Sequence, residues 1–466
     1  MSMNLIVTVI YLVGMLVIGI YTTKTNVTVE DFFVANRKMP LWVNVNTIAA
    51  SYIGAGATMG IAGMVYRGGI GGTAILIFQV VAMCIMAKVM AERLWKTKAL
   101  TLADVVETTY DGGTRELITV LRIVSVLGVT ASQLLAMGLI GQVIIPGISF
   151  QLSTFIMTAV IVGYTYAGGL MAVALTDVVQ MILNALGVMV LLPLIGLIKI
   201  GGWQGLSTLP ANFFNPVGMG WSFVFTMFVF AFPGTFVSQE IWVRMFAAKS
   251  SREAKLALNL ASLCVYLPYA MSVAVVGLVG AKLFPGLKSD VLIPHMVSVL
   301  IPGFMGSVIL ASLLAAVMSC ADSVLLVGAS NISYDIYKKY INPKVSEKNL
   351  LFLSRICVLV VGAAALGLAL TAKGIIDLMT KINTPLTAIG PVILLGFYWK
   401  RATALGAKLA ILSSVAIGIP MLLFGVKILG QDPLVITFLV SVSVAVLVGL
   451  LTPKRPNAAS SPSNAD

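Results

Sequence analysis

The sequence predicts an all-α integral membrane protein of about 13 transmembrane helices. Its 466 residues are 59% hydrophobic and only 10% charged, whereas soluble globular chains carry about 25% charged residues. Unbroken apolar stretches are long enough for helices that cross a hydrocarbon core of roughly 30 Å. A β-barrel is excluded because its strands would appear as short alternating segments.

Hydropathy and turn signals divide the chain into thirteen predicted spans. They cover residues 4–22, 40–66, 70–92, 116–146, 150–167, 172–200, 221–245, 255–283, 303–335, 349–372, 374–398, 402–425 and 432–452. We therefore expect one transmembrane domain over residues 1–452. The tail 453–466 is rich in Ser, Pro, Asn and Ala, and it is predicted to be a disordered cytoplasmic end.

The positive charge of the chain indicates its orientation. The net charge is +13, but no basic run interleaves with aromatic residues, so we expect no nucleic-acid partner. With the N-terminus outside, eighteen Lys and Arg residues fall in or beside cytoplasmic loops and five in the opposite loops, namely Arg67, Lys282, Lys288, Lys373 and Lys427. This asymmetry predicts an outside N-terminus and an inside C-terminus. The expected location is the plasma membrane of a bacterium or archaeon.

Two spans in matching positions contain helix-breaking residues. Span 2 holds Gly54, Gly56 and Gly60 within seven residues, and span 7 holds Pro233–Gly234. A Gly/Pro-interrupted pair in corresponding halves is typical of a transporter site built from unwound helices. The predicted repeats are spans 2–6, over about 40–200, and spans 7–11, over about 221–398.

Two intramembrane acids, Asp177 in span 6 and Asp322 in span 9, are candidate functional residues because a central Asp costs roughly 2.5–3.5 kcal/mol on insertion. Around Asp322, the helical spacing i, i+3, i+4, i+7 aligns Ala316, Ser319, Cys320 and Ser323 on one face. Such an oxygen-bearing stripe beside a broken span suits a hard cation such as Na⁺. The soft thiol of Cys320 departs from that pattern.

Other charged residues receive mainly structural interpretations. Asp377 and Lys381 are spaced i, i+4 and should pair on one face of span 11. Arg244 is predicted to mark the cytoplasmic boundary of span 7. Glu240 is expected to contact either the substrate or a partner such as Arg244.

The chain resembles the sodium/solute symporter family, whose members carry solutes such as proline, pantothenate, sialic acid, galactose and choline. The resemblance rests on four stretches that begin at Ile48, Tyr164, Val243 and Leu314: IAASYIGAGATMGIAGMVYRGG, YTYAGGLMAVALTDVVQ, VRMFAAKS and LAAVMSCADSVLLVGASNISYDIYKKYI. It implies a LeuT-type inverted repeat that works by alternating access. It also implies Na⁺ as the coupling ion, with no other metal.

The resemblance places the principal sodium site on Ala50, Ile53, Ala316, Ser319 and Cys320. A second site, for a cation or for a shared proton, is expected at Asp177, Ser319, Asp322 and Ser323. Asp322 stands where relatives with a second cation site carry a hydroxyl.

The resemblance also limits the substrate. Ala57 and Leu76 replace the polar residues of sugar-carrying members, and most of the aromatic cage of choline-carrying members is missing. A small amino acid, a carboxylate or a betaine-like solute remains, and the prediction favours the first two. The predicted substrate contacts are Tyr52, Gly56, Ala57, Gln79, Gln133, Ser238, Gln239 and Glu240.

The main alternative function is a proton-coupled symporter of the same fold, because Asp322 and Cys320 depart from the sodium pattern. An ion channel and a non-transporting solute sensor are the alternatives from other classes. An enzyme is not expected, since the sequence contains no paired His, HExxH or GxSxG motif. The expected partners are the solute, Na⁺ and the lipid bilayer, with no obligate protein partner.

Overall fold

The computed structural model describes residues 2–22 and 28–452. Lys24, which contributes to the predicted orientation, and the predicted tail 453–466 lie outside the described residues. In the part described, regular structure is helical apart from two isolated β-bridges. Eleven helices are long and apolar enough to cross a membrane, and one bent helix pair makes a twelfth span.

The helices follow the predicted order, with boundaries shifted by a few residues. Spans 1 to 4 are Met3–Thr22, Leu41–Tyr52 with Ile61–Gly68, Ala74–Val89, and Gly112–Ile144. Spans 5 and 6 share Phe150–Lys199, span 7 is Trp221–Phe236 with Gln239–Ala247, and span 8 is Ser251–Leu283. Spans 9 to 13 are Phe304–Ile341, Glu347–Thr371, Ile375–Tyr398, Ala404–Phe424 and Pro433–Leu451.

The segment Phe150–Lys199 contains two spans joined by a kink. Its 50 residues would form a helix of about 75 Å, more than twice the thickness of the hydrocarbon core. Gly169 breaks it with φ 56° and ψ −159°. A Cβ atom there would lie 2.6 Å from the Phe32 ring, so both the left-handed backbone and the close packing require glycine. Counting the two halves separately gives the predicted thirteen spans.

Span 2 is broken where the glycine run predicts it. The helix Leu41–Tyr52 ends before Ile53, and the two halves of the span meet at an angle of 59°. The break in span 7 lies three residues beyond its predicted place. The helix continues through Pro233–Gly234 and ends at Phe236, and the next helix begins at Gln239. Proline removes one backbone donor, which a helix can tolerate with a kink.

Span 9 forms the centre of the bundle, and its middle part, residues 309–331, is buried throughout. It packs against spans 1, 2, 4, 5, 6 and 10. Spans 12 and 13 pack on each other and contact the bundle mainly through span 11, with further contacts from span 12 to span 4 and from span 13 to span 7. The Thr387 and Thr437 hydroxyl oxygens lie 2.7 Å apart, and Ser441 donates to the Ala388 carbonyl at 2.7 Å. Hydrogen bonds therefore connect span 13 to the interior segment of span 11.

Candidate transport site

The break in span 2 leaves a backbone carbonyl available at its edge. In a continuous helix the Gly54 amide would donate to the Ala50 carbonyl, but here it donates to the Tyr52 carbonyl at 3.1 Å. The Ala55 amide leaves the helix pattern as well, and it donates to Gln133 Oε1 at 2.7 Å. Gln133 of span 4 therefore holds the unwound segment open.

Span 9 presents the predicted sodium ligands to this edge. The Ser319 hydroxyl oxygen lies 3.3 Å from the Ala50 carbonyl oxygen and 3.0 Å from the Ala316 carbonyl oxygen. The Ser319 hydroxyl thus contacts a backbone carbonyl oxygen of each of two spans, and oxygen atoms are the ligands that a hard cation prefers. Ile53 is the first residue after the helix Leu41–Tyr52, and its backbone has the non-helical angles φ −84° and ψ 80°.

Cys320 packs against the same break. A Cβ atom on Gly54 would lie 2.7 Å from the Cys320 Cβ and 2.9 Å from its Sγ. The absence of a side chain at Gly54 therefore lets span 9 approach the unwound backbone. The structure brings together all five predicted sodium-site residues at the break of span 2.

The predicted second site contains two fully buried carboxylates. Asp322 Oδ2 accepts a hydrogen bond from the Tyr164 hydroxyl at 2.7 Å, and its Oδ1 lies 3.4 Å from Ser323 Oγ. Asp177 Oδ2 accepts a short hydrogen bond from Thr47. The other oxygen of Asp177, Oδ1, has no hydrogen-bond partner among the described residues. A buried, unpaired carboxylate oxygen of this kind is available to a cation or to a proton.

Arg244 lies in the last turn of the span-7 helix Gln239–Ala247, and its side chain extends into this second site. Its side chain is 1% exposed, and Nη2 lies 3.6 Å from Asp177 Oδ2. Nη2 also donates to Ser323 Oγ at 2.6 Å, while Nε donates to Thr47 Oγ1 at 3.1 Å. The guanidinium reaches inward because Arg carries five donors that a buried acidic cluster can satisfy.

Two adjoining cavities lie beside the sodium-site residues. Gly56, Ala57 and Leu76 line the first, while Ser238, Glu240 and Cys320 line the second, which has a volume of about 140 Å³. Tyr52, Gln79, Phe230 and Met379 line both cavities. Six of the eight predicted substrate contacts therefore belong to one cavity pair: Tyr52, Gly56, Ala57, Gln79, Ser238 and Glu240.

The other two predicted contacts, Gln133 and Gln239, do not line these cavities. Gln133 bonds to the break of span 2, as described above. Gln239 Nε2 donates to Ser330 Oγ at 3.3 Å, and its side chain is buried. Both amides satisfy polar groups between helices, which is a common arrangement in membrane bundles.

An ion pair that the sequence analysis did not predict lines the second cavity. Arg122 of span 4 lies 2.9 Å from Glu240 of span 7, measured from Nη2 to Oε1. Arg244 contacts only the backbone carbonyl of Glu240, at 2.9 Å. The sequence could have identified Arg122 as a candidate, since an arginine ten residues inside an apolar span is by itself a functional candidate.

A second ion cluster lies at the predicted cytoplasmic end of span 4. Arg115 contacts Asp104 at 3.0 Å, Glu107 at 2.5 Å and Asp335 at 2.7 Å. A hydrogen bond from Lys339 holds the pKa of Glu107 below its usual range, so this carboxylate stays charged at neutral pH. The cluster connects the ends of spans 4 and 9 through the helix Leu102–Thr109.

An unwound span whose backbone carbonyl faces a hydroxyl on a partner helix, beside a cavity between the spans, is typical of a secondary transporter of the inverted-repeat class. The chain belongs to the sodium:solute symporter family, whose model matches residues 32–418. The predicted family is thereby confirmed. The protein is accordingly a multi-pass symporter of the plasma membrane that couples Na⁺ to solute uptake, and it is not an enzyme.

Curated relatives match almost the whole chain. The chain is 28% identical to the osmoregulated proline transporter OpuE of Bacillus subtilis, over 99% of this chain and 97% of OpuE. It is also 28% identical to the sodium/proline symporter of Escherichia coli, over 97% and 93% of the two chains. The high-affinity choline transporter 1 of Caenorhabditis elegans is 24% identical over 93% of this chain and 78% of that protein.

Solved structures confirm the LeuT-type fold. A Na⁺-coupled sialic acid symporter in a substrate-bound outward-open state matches with a TM-score of 0.83 and 20% identity, over 97% of this chain and 98% of that one. Mhp1, a nucleobase-cation-symport-1 family transporter, matches in a closed conformation with a TM-score of 0.59 and 15% identity. That match covers 90% of this chain and 93% of Mhp1.

Proposed function

We propose that the transported solute is an amino acid or a small carboxylate and that it binds in the two adjoining cavities. The observation that carries this proposal is that Cys320 belongs both to the predicted sodium site and to the cavity wall. The solute and Na⁺ would therefore both lie next to Cys320, and each would stabilise the conformation that binds the other.

The cavity walls support the proposed substrate class. Phe230, Met379 and Leu76 supply apolar surface, while Gln79 and Asn383 supply amides. Specific small-molecule sites combine such apolar walls with a few polar groups. The relatives that match over nearly their full length are proline transporters, so an amino acid is the first solute to test.

We propose that Na⁺ binds at Ala50, Ile53, Ala316, Ser319 and Cys320. Four of these residues would supply oxygen ligands, and Cys320 would supply a weaker sulfur contact. This arrangement favours Na⁺ over a proton as the coupling ion at this position, because the ligands other than the thiol are neutral carbonyl and hydroxyl groups.

We further propose that Asp177, Ser319, Asp322 and Ser323 form a second site, in which Arg244 supplies one permanent positive charge. Two ionised carboxylates and one guanidinium carry a net charge of −1. An isolated buried charge is costly, so one more cation or one proton must balance the cluster. The proposed symporter needs the lipid bilayer, the solute and Na⁺, and we expect no nucleic-acid partner and no obligate protein partner.

Uptake into proteoliposomes tests the proposed substrate class. Purified protein would be reconstituted and supplied separately with a Na⁺ gradient or a pH gradient. We expect the Na⁺ gradient to drive accumulation of at least one amino acid or small carboxylate, but not of galactose. Accumulation driven only by the pH gradient would favour the proton-coupled alternative, and uptake of galactose alone would contradict the proposed substrate class.

A further inference from the structure

We propose that Arg122 and Glu240 form a recognition pair that a zwitterionic solute separates. In this proposal Arg122 receives the carboxylate of the solute, and Glu240 receives its cationic nitrogen. The inference rests on the proposed function and deepens it, because it selects zwitterions from the wider class of amino acids and carboxylates. The two side chains come from span 4 and span 7, which belong to different repeats.

The Arg122–Glu240 ion pair is largely buried, yet it lies at the wall of the second cavity. The Arg122 and Glu240 side chains are 6% and 12% exposed, and both line the second cavity. Ser238 Oγ donates to the second oxygen of Glu240 at 2.7 Å. Both carboxylate oxygens of Glu240 are therefore occupied, one by each neighbour.

Arg122 retains an unused donor. Its Nε atom is buried and has no hydrogen-bond partner in the part of the chain that the structure describes. Nε and Nη2 lie on one edge of the planar guanidinium, and that edge binds carboxylates through two parallel hydrogen bonds. Nη2 on this edge donates to Glu240, whereas the buried Nε has no acceptor among the described residues.

Stability of the fold does not by itself explain why Arg122 and Glu240 form a buried ion pair beside the cavity. Replacing a buried ion pair by apolar residues of similar volume is often neutral or stabilising, because both charges must lose their hydration. Arg115 shows the alternative arrangement, since three carboxylates surround it at the end of the same helix. Both arginines have an Nε without a hydrogen-bond partner among the described residues. Arg122 differs in having a single carboxylate partner and a cavity beside it.

Charge balance selects a zwitterion. A solute that carries only a carboxylate could bind Arg122, but it would leave Glu240 without its cation. A solute that carries only an ammonium group would leave Arg122 without its anion. Breaking a buried pair by removing one partner is strongly unfavourable. A zwitterion replaces both partners at once, and it leaves the cavity with the same net charge.

Other lining residues fit the two ends of such a solute. Ser125 lies one helical turn beyond Arg122 on span 4, whereas Ser238 precedes Glu240 on span 7. Val129, Phe230 and Val324 provide apolar wall in the same cavity. An amino acid of modest size would therefore find charged anchors on two spans and an apolar surface for its side chain.

The first experiment compares matched probes on the wild-type protein. L-proline, L-proline methyl ester and N-acetyl-L-proline present a zwitterion, a cation and an anion on similar frames, and L-alanine with its two blocked forms provides a second series. Binding would be measured by thermal shift at saturating Na⁺. We expect at least one zwitterion to bind about tenfold or more tightly than either of its blocked forms. Equal binding of all three forms, or a preference for a blocked form, would overturn the proposal.

The second experiment removes the pair. The double variant Arg122→Gln/Glu240→Gln keeps similar volumes and leaves no unpaired charge, and its matched control is Asp377→Asn/Lys381→Gln, which removes the exposed pair on span 11. We expect the first double variant to lose about tenfold or more in zwitterion affinity while its stabilisation by Na⁺ persists, and the control to bind as wild type does. The single variant Glu240→Gln should shift preference towards N-acetyl-L-proline.

The two experiments separate failure of the inference from failure of the proposed function. A double variant that binds the zwitterion with wild-type affinity would assign the pair a purely structural role and leave the proposed substrate class intact. The wild-type comparison needs no variant, so it decides the proposal even if the double variant does not fold. If the wild type takes up no amino acid or carboxylate under a Na⁺ gradient, the proposed substrate class itself is wrong.

Discussion

The Ser319 hydroxyl of span 9 lies 3.3 Å from the Ala50 carbonyl oxygen of span 2, across the break in that span. This contact joins the two elements that the proposed sodium site requires. A ligand that binds only the folded state stabilises it by RT ln(1 + [L]/Kd), which increases as the ligand binds more tightly. Na⁺ should therefore raise the melting temperature more than K⁺ does at equal ionic strength.

Ser319→Ala should weaken Na⁺-dependent uptake and reduce the thermal stabilisation by Na⁺, because it deletes one ligand oxygen and little volume. The matched control is Ser312→Ala, which removes a buried hydroxyl of the same span that donates to the Ile309 carbonyl at 2.8 Å. The measurement is uptake against Na⁺ concentration in proteoliposomes. An unchanged Na⁺ dependence in Ser319→Ala would remove Ser319 from the site.

Cys320→Ser should preserve transport and leave Na⁺ affinity equal or higher, since it exchanges a soft sulfur for a hard oxygen. The melting temperature would be titrated with Na⁺ in the variant and in the wild type. Loss of transport in a variant that still folds would mean that the thiol has another role and that the sodium site lies elsewhere.

Gly54→Ala should impair folding or Na⁺ binding, because its Cβ would lie 2.7 Å from both Cys320 Cβ and Gln133 Oε1. Contacts this short require spans 4 and 9 to move away from the break. Gly234→Ala is the control in the other broken span, where a Cβ has no neighbour within 4 Å. We expect Gly234→Ala to keep the wild-type yield and the wild-type stabilisation by Na⁺, and Gly54→Ala to lose one or both. Identical behaviour of the two variants would show that close packing at Gly54 is not required.

Asp322→Asn and Asp322→Ser should change the voltage or cation dependence of transport. Both remove the excess negative charge of the Asp177, Asp322 and Arg244 cluster, and the serine restores the hydroxyl of relatives with a second cation site. Moving one charge through the membrane potential is worth roughly 2.3 kcal/mol per 100 mV. Substrate accumulation would be measured while valinomycin and K⁺ set the potential. Wild-type voltage, Na⁺ and pH dependence in both variants would leave Asp322 with a structural role.

Asp335→Asn should destabilise the protein by about 1–2 kcal/mol, because Arg115 and Thr101 lose a charged, buried hydrogen-bond acceptor while Asp104 and Glu107 still compensate the charge of Arg115. The control is Asp111→Asn, which breaks the half-exposed pair with Lys408 and should cost less than about 1 kcal/mol. Chemical unfolding in detergent, followed by tryptophan fluorescence, compares the two variants. Equal stability of both variants would show that burial does not strengthen the Asp335 contact.

Local sequence signals predicted most of the fold. Apolar run lengths located the spans, and the glycines after Tyr52 located the break in span 2, because both properties depend on nearby residues. The break in span 7 was misplaced by three residues, since proline weakens a helix without fixing the residue at which it ends. The exposed pair Asp377–Lys381 formed as predicted, at 2.9 Å, because i, i+4 spacing is itself local.

The two interior arginines show where sequence reasoning stopped. Arg244 was predicted at the membrane boundary, but its partners Thr47 and Asp177 come from spans 2 and 6, and no local pattern connects them. Arg122 pairs with Glu240, which is 118 positions away. Hydropathy reveals that such a charge is costly, but only the packing of spans shows which distant group compensates it.

The hydrogen bond between Thr387 and Thr437 has a mechanical consequence. Thr387 forms part of the wall of the second cavity, whereas Thr437 belongs to span 13, outside the two repeats. If span 11 tilts to admit or release a solute, it must either break this bond or carry span 13 with it. The last helix is thus coupled to any tilt of span 11, and a tether that immobilises span 13 should slow turnover without altering equilibrium affinity for the solute.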